Sequence, residues 1–200
     1  MNKNIVQEIH EKYCVPMHIV KHMQKVAQVC EAIAMELERQ GCKIDTKTLI
    51  MAAKLHDSLR IIDFKTFDPE KFPYDFPKSD LEAWKQIREK YKGMPHEETL
   101  ANEMTKESPE IAGLIRKHGF YAIDSLKNWE EKILYYADKR VREDEIVSLE
   151  ERFIDGRKRN FDKEKHDFKK IKAIEEKVFK LEEELEKQIP NLQETINKLS

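Results

Sequence analysis

Apolar residues recur every three or four positions along most of this chain, the spacing of helices that bury one face. The longest example ends at Gly41, and its apolar positions are Ile19, Val20, Met23, Val26, Ala27, Cys30, Ile33, Ala34 and Leu37. With five Gly and seven Pro among 200 residues, few positions interrupt a helix, and a charged fraction of 38% supplies solvated outer faces. The sequence therefore predicts an all-α bundle of about eight helices.

Composition and charge exclude several classes of protein. The formal net charge of −2 provides no basic field that would attract nucleic acid. No apolar run approaches the roughly 20 residues of a membrane span, and the polar N-terminus lacks a signal-peptide pattern. The three cysteines lack CxxC spacing, which indicates reduced thiols. We expect a cytoplasmic protein with no membrane association, for which a nucleic-acid partner is not expected.

Four polar residues lie on apolar helical faces, where an unpaired polar group costs free energy. They are His22, the doublet His56–Asp57, and Asp138. Each one alone could be a hydrogen-bonded core residue. Together, imidazoles and carboxylates suit a divalent cation such as Fe, Mn, Co, Ni, Zn or Mg. The four residues predict a metal site at the centre of the bundle.

The order H…HD…D, together with the local words around these residues, resembles the HD superfamily of metal-dependent phosphohydrolases. The words are His22-Met23-Gln24-Lys25-Val26-Ala27, Leu55-His56-Asp57 and Tyr136-Ala137-Asp138-Lys139. The resemblance covers roughly residues 15–145. It implies an HD-domain helical bundle and an enzyme that uses metal-activated water. Such an enzyme would cleave a phosphoester or phosphoanhydride of a nucleotide or a related small phosphate compound.

Two more histidines, His96 and His118, lie between the doublet and Asp138. The resulting order is similar to that of two-metal members such as the bacterial diadenosine tetraphosphatases. That resemblance implies that Asp57 bridges two ions and that the two extra histidines bind the second ion. The alternative is a single ion, with both histidines binding substrate phosphate. The number of bound ions, one or two, therefore remains undecided by the sequence.

Arg60 stands where many relatives have lysine, three residues after the doublet aspartate. We expect Asp57 and Arg60 to act in catalysis, and Arg60 and Lys139 to bind the substrate phosphate, because both cations can reach a phosphate. The Gly-Tyr-Pro word of the cyclic-dinucleotide branch is absent, and Gly119-Phe120-Tyr121 replaces it. This departure argues against that branch.

Two segments fall outside the ligand pattern. Residues 61–80 carry aromatic rings among prolines and predict an ordered loop, whose rings either stack on a nucleobase or plug the core.

We assign residues 1–162 to an HD phosphohydrolase domain and 163–200 to a C-terminal amphipathic helix packed on it. The apolar seam of that helix is Ile171, Ile174, Val178, Leu181 and Leu185. This seam must be buried either on its own domain, which gives a monomer, or on a second copy of the chain, which gives a weak homodimer; we expect the first.

Two further functions compete with an enzyme. One is a catalytically silent HD module that binds a nucleotide for regulation. The other is a helical interaction protein without a metal, which rests on the C-terminal seam alone. Metal analysis and a hydrolysis assay separate the three possibilities.

Overall fold

The computed structural model describes residues 5–68, 72, 74, 76–160 and 167–200, and within them the fold is all-α, as predicted. Among these described residues, two short 3-10 turns join helices, Arg60–Asp63 and Phe120–Ser125, and a two-stranded hairpin pairs Val141 with Ile146. No helix in the described part of the chain combines the length and apolar character needed to cross a membrane. The elements are α1 (Ile5–Lys12), α2 (Met17–Arg39), α3 (Thr46–Ala53), α4 (Lys78–Lys90), α5 (His96–Met104), α6 (Pro109–Arg116), α7 (Trp129–Lys139), β1 (Val141–Arg142), β2 (Glu145–Ile146), α8 (Leu149–Asn160), α9 (Phe168–Gln188) and α10 (Leu192–Asn197).

The long helix α2 is the central element of the bundle. Its residues Val26, Cys30, Ile33 and Leu37 are fully buried, as the three-and-four spacing predicts. Helix α2 packs against α3 and α7, while α6 packs against α3 and α5. The helices that carry the predicted ligands are therefore neighbours in space.

Local capping fixes where two site-bearing helices begin. The carboxylate of Asp45 accepts a hydrogen bond from the Thr48 amide at the start of α3. At the start of α7, the Asn128 side chain accepts from the Glu131 amide, and Glu131 accepts in turn from the Lys127 amide. These bonds satisfy amides that would otherwise lack partners in the first turn. They fix the starting points from which α3 leads to His56 and α7 to Asp138.

Helix α9 completes the core instead of projecting from it. It packs against α7 and the Phe120–Ser125 turn, and α10 packs against α2. Four residues of the predicted seam, Ile174, Val178, Leu181 and Leu185, are buried in the same apolar core as α2 and α7. The seam is thus covered by this chain's own helices.

Candidate metal centre

The structure gathers all six predicted ligands in the interior of the bundle. His22 comes from α2, His56 and Asp57 from the turn after α3, His96 from the start of α5, His118 from the residues after α6, and Asp138 from the end of α7. Each of them is at most 8% exposed. Five segments therefore contribute polar side chains to one buried site.

His22, His56 and Asp138 form the first of two clusters. The Nε2 atom of His22 lies 3.0 Å from Asp138 Oδ1, and the Nε2 atom of His56 lies 3.5 Å from the same oxygen. Asp57 Oδ2 lies 4.0 Å from each of these two nitrogens. These separations leave the donor atoms close enough to share one cation.

The second cluster is built around the other oxygen of Asp57. Its Oδ1 atom lies 2.9 Å from His96 Nε2 and 3.3 Å from His118 Nε2. The two imidazole nitrogens are 3.1 Å apart. One carboxylate thus faces both clusters, with one oxygen toward each. The clusters adjoin, since the donor atoms of His56, Asp57 and His118 also lie within 4.8 Å of one another.

All four imidazole rings are oriented by a hydrogen bond from Nδ1. His22 donates to the Glu143 carbonyl at 2.8 Å and His56 to the Ala53 carbonyl at 2.8 Å. His118 donates to the Ile115 carbonyl and His96 to the Asp63 carboxylate, both at 2.6 Å. A carbonyl only accepts, so Nδ1 carries the proton in three of the rings. The inward Nε2 atoms of neutral rings then present lone pairs, as metal-binding histidines do.

The His56 ring tests whether a metal fits this site. Among the described residues, the His56 Nε2 atom is the one buried side-chain nitrogen or oxygen that makes no hydrogen bond. Asp138 Oδ1, at 3.5 Å, is too distant and poorly placed to satisfy it. An unsatisfied buried nitrogen costs about 1–3 kcal/mol, and a cation bound among these donors would remove that cost. The donor set fits one or two divalent ions.

The carboxylates of the site are held in their charged form. Burial alone would raise the pKa of Asp57, but the His56 and Arg60 charges and hydrogen bonds from two imidazoles hold it well below its usual range. Burial likewise opposes ionisation of Asp138, yet the Lys139 charge and the His22 and His56 contacts hold its pKa well below the usual range. Two buried negative charges therefore face the inward imidazole nitrogens.

The pKa values of two imidazoles move in opposite directions. Burial lowers the pKa of His118, against the opposing effect of Asp57. Burial also opposes the charged form of His96, but contacts with Asp57 and Asp63 raise its pKa to about 9. In the metal-free protein a proton is thus held between His96 and Asp57, where a cation would otherwise balance the carboxylate.

Of the two predicted phosphate-binding cations, Arg60 is the more accessible. Its Nη1 atom lies 3.3 Å from both ring nitrogens of His96, which places it over the ring face, and 3.6 Å from Asp63 Oδ2. Its side chain is 38% exposed and lines the cavity beside the clusters. Lys139 is buried, and its ammonium donates to Asp138 Oδ2 at 2.9 Å and to the His118 carbonyl at 2.5 Å. Lys139 therefore supports the ligands in addition to lining the cavity.

A cavity of about 680 Å³ opens from the clusters toward α8 and α9. Asp57, His96, His118 and Asp138 line one end of it. The remaining wall mixes cations, carboxylates and apolar side chains, and includes Arg60, Lys139, Arg152, Arg157, Glu97, Glu175, Phe120, Tyr121, Phe153 and Ile171. Its volume lies in the range of pockets that bind small organic ligands, about 300–1,000 Å³.

The sequence interpretation missed three residues that orient the ligands. Asp63 and Glu97 place carboxylates 2.6 Å and 3.2 Å from His96 Nδ1, and Glu143 supplies the carbonyl for His22. Glu143 has a φ of 58°, a left-handed backbone that costs a non-glycine residue free energy. Gly119 lets Glu97 approach, since a Cβ there would lie 2.7 Å from Glu97 Oε1. In the sequence, the spacing of three residues between Arg60 and Asp63 is the one feature that could have indicated such a role, because it places a carboxylate close to the predicted site.

The aromatic residues of the 61–80 segment form a separate cluster. Phe72 stacks on Trp84 with ring centroids 5.3 Å apart, and the ring of His18 contacts Phe64 and hydrogen bonds with Tyr74 at 2.9 Å. None of these rings lines the cavity. This packing supports the core-plug alternative over nucleobase stacking. Residues 69–71, 73 and 75 of the segment lie outside the described residues.

Comparisons with protein-family models, with characterised proteins and with solved structures find no match to this chain. The candidate site is therefore interpreted from its own donor atoms and their surroundings.

Proposed function

We propose that this protein is a metal-dependent phosphohydrolase of the HD type, acting on a nucleotide or a related small phosphate compound. The observation that carries the proposal is the position of Asp57: its Oδ2 lies 4.0 Å from the Nε2 atoms of His22 and His56, and its Oδ1 lies 2.9 Å and 3.3 Å from those of His96 and His118. Many phosphoryl-transfer sites use two ions about 3.5–4 Å apart, and a carboxylate with one oxygen toward each group of donors could bind both. The ligand order resembles that of two-metal HD enzymes, which supports the same function.

The donor set divides between two ions. His22, His56 and Asp138 would hold the first ion. Asp57 and His118, together with His96, would hold the second, and the His56 nitrogen lies within reach of both groups. Ions bound there would supply a hydroxide at neutral pH and would neutralise charge on the phosphoryl oxygens. The four Nδ1 hydrogen bonds keep the rings in place, so little reorganisation is needed when ligands bind.

The chain's own cations complete the proposed mechanism. Arg60, which is partly exposed beside the clusters, binds the phosphoryl oxygens of the substrate and stabilises the charge that develops on them. Its planar fork distinguishes it from the lysine of many relatives, because the fork can contact two oxygens at once. Lys139 keeps Asp138 ionised and oriented.

Hydrolysis of simple phosphate compounds tests the proposal. Purified protein, with Mn²⁺ or with EDTA, is assayed for phosphate release from nucleoside mono-, di- and triphosphates and for p-nitrophenol release from p-nitrophenyl phosphate. We expect Mn²⁺-dependent turnover that Asp57→Asn abolishes, since the amide removes the shared negative charge at nearly constant shape. His10→Ala is the matched control, because His10 lies away from the clusters and contacts the Lys54 carbonyl.

Two outcomes would contradict the enzymatic proposal. Metal-loaded protein that hydrolyses none of these compounds but binds a nucleotide would instead support the regulatory module. Turnover that is unchanged in Asp57→Asn would show that the activity arises elsewhere or from a contaminant.

A further inference from the structure

Four cations line the cavity in the described part of the chain, and they differ in how they are paired. Lys139 is bound to Asp138, Arg60 lies near Asp63, and Arg157 forms an ion pair with Glu175 of α9. The fourth, Arg152 of α8, has no carboxylate within 4 Å among the described residues. A partly buried guanidinium beside open space is a ready site for an anion.

The Arg152 side chain is fixed in a way that leaves its fork available. Its Nε atom donates to the Val141 carbonyl at 3.2 Å, just beyond the end of α7 that carries Asp138 and Lys139. This bond uses neither terminal nitrogen of the guanidinium. Arg152 and Lys139 both line the cavity.

The residue of α8 beside this fork is Gly156, which also lines the cavity. Gly156 lies one turn beyond Arg152 within α8, and a Cβ there would lie 3.8 Å from Arg152 Nη1. Glycine inside a helix costs roughly 1 kcal/mol relative to alanine. A larger side chain would extend from that position into the cavity, which both residues line.

We propose that Arg152 and Gly156 form a second anion subsite, which binds a phosphate group of the substrate other than the one being cleaved. The inference rests on the proposed function and narrows its substrate class to compounds with two or more phosphates. A cavity of about 680 Å³ supports this, because it is far larger than a single phosphate requires. The scissile phosphate would lie at the clusters and the second phosphate at Arg152. The apolar wall of Phe120, Tyr121 and Ile171 would adjoin the remainder of the molecule.

The test compares compounds with one phosphate and with several. Turnover of p-nitrophenyl phosphate and of inorganic tripolyphosphate is measured in Mn²⁺ for the wild type, Arg152→Gln and Gly156→Leu. We expect both variants to lose at least about tenfold more kcat/KM for tripolyphosphate than for p-nitrophenyl phosphate, since one charge-assisted contact is lost or blocked. Arg159→Gln is the control, because Arg159 lies on the same helix but outside the cavity and is paired with Asp155. It should leave the ratio unchanged.

A binding measurement keeps the inference testable if no compound is hydrolysed. Titration calorimetry of the Mn²⁺-loaded protein compares pyrophosphate with orthophosphate. Loss of at least about tenfold in pyrophosphate affinity in Arg152→Gln would support the subsite even if the proposed hydrolysis fails. Equal losses for both compounds, or no loss for either, would overturn the subsite. Arg152→Lys should recover only part of the affinity, because lysine lacks the fork and the Nε anchor.

Discussion

Removal of metal ions should lower the thermal stability of this protein, because the ions bind only the folded site. In the metal-free chain, two ionised carboxylates and the unsatisfied His56 Nε2 are buried together. An ion that binds only the folded state, at a free concentration one thousand times its Kd, adds about 4 kcal/mol to the free energy of unfolding. For a chain of this length, that corresponds to about 8–16 °C in Tm for each ion bound.

The measurement is a thermal melt of the purified protein with Mn²⁺ and with EDTA. The wild type should show the full difference in Tm, and His10→Ala should show the same difference. His56→Ala should lose most of it, because the His56 nitrogen lies within reach of the donors of both clusters. His118→Ala should keep the contribution of the first ion only. A wild-type Tm that differs by less than about 2 °C between the two conditions would refute the assignment of these buried residues to a metal site.

Three other results follow from the same structure. Affinity for the second ion should weaken about tenfold for each pH unit below about 9, because binding must release the proton held on His96. Titrations at three pH values would measure this, and an affinity for that ion that is independent of pH would exclude His96 as a ligand. Arg60→Ala should reduce kcat/KM by roughly ten- to a hundredfold and Arg60→Lys should partly restore it, whereas a change below about twofold would show that Arg60 does not contact the phosphate. Leu185→Ala in α9 should lower the free energy of unfolding, measured in urea, by about 2–5 kcal/mol, because the side chain is fully buried. Glu183→Ala, at an exposed position of the same helix, should change it by less than about 0.5 kcal/mol. Equal effects would contradict the packing of α9 on the core.

The sequence predicted the helical architecture because apolar periodicity is a local property. The buried positions of α2 follow directly from their spacing, and the same reasoning correctly gave the buried face of α9. The convergence of His22, His56, Asp57, His96, His118 and Asp138 could also be expected, since each lies on a helix face or next to one that had to be buried. The resemblance to the HD pattern rests on the order of these residues along the chain, and it indicated that they would form one site.

Other parts of the site depend on contacts between distant segments, which spacing does not encode. The carbonyl of Glu143 reaches His22 only because the β1–β2 hairpin folds back beside α2. Likewise, nothing in the local sequence of α9 indicates that Glu175 pairs with Arg157 and lines the cavity. The aromatic rings of residues 61–80 gave no sign of whether they would face a ligand or one another. Their partner, Trp84, lies in the next helix.

Metal stoichiometry is the most direct test of the central claim that Asp57 joins two metal-binding clusters. Elemental analysis of the Mn²⁺-reconstituted and desalted protein should give two equivalents for the wild type. His118→Ala should give close to one, and Asp57→Ala should lose most of both, because that carboxylate faces both sets of imidazoles. A wild type that retains no metal, or an Asp57→Ala variant that retains two equivalents, would contradict the claim.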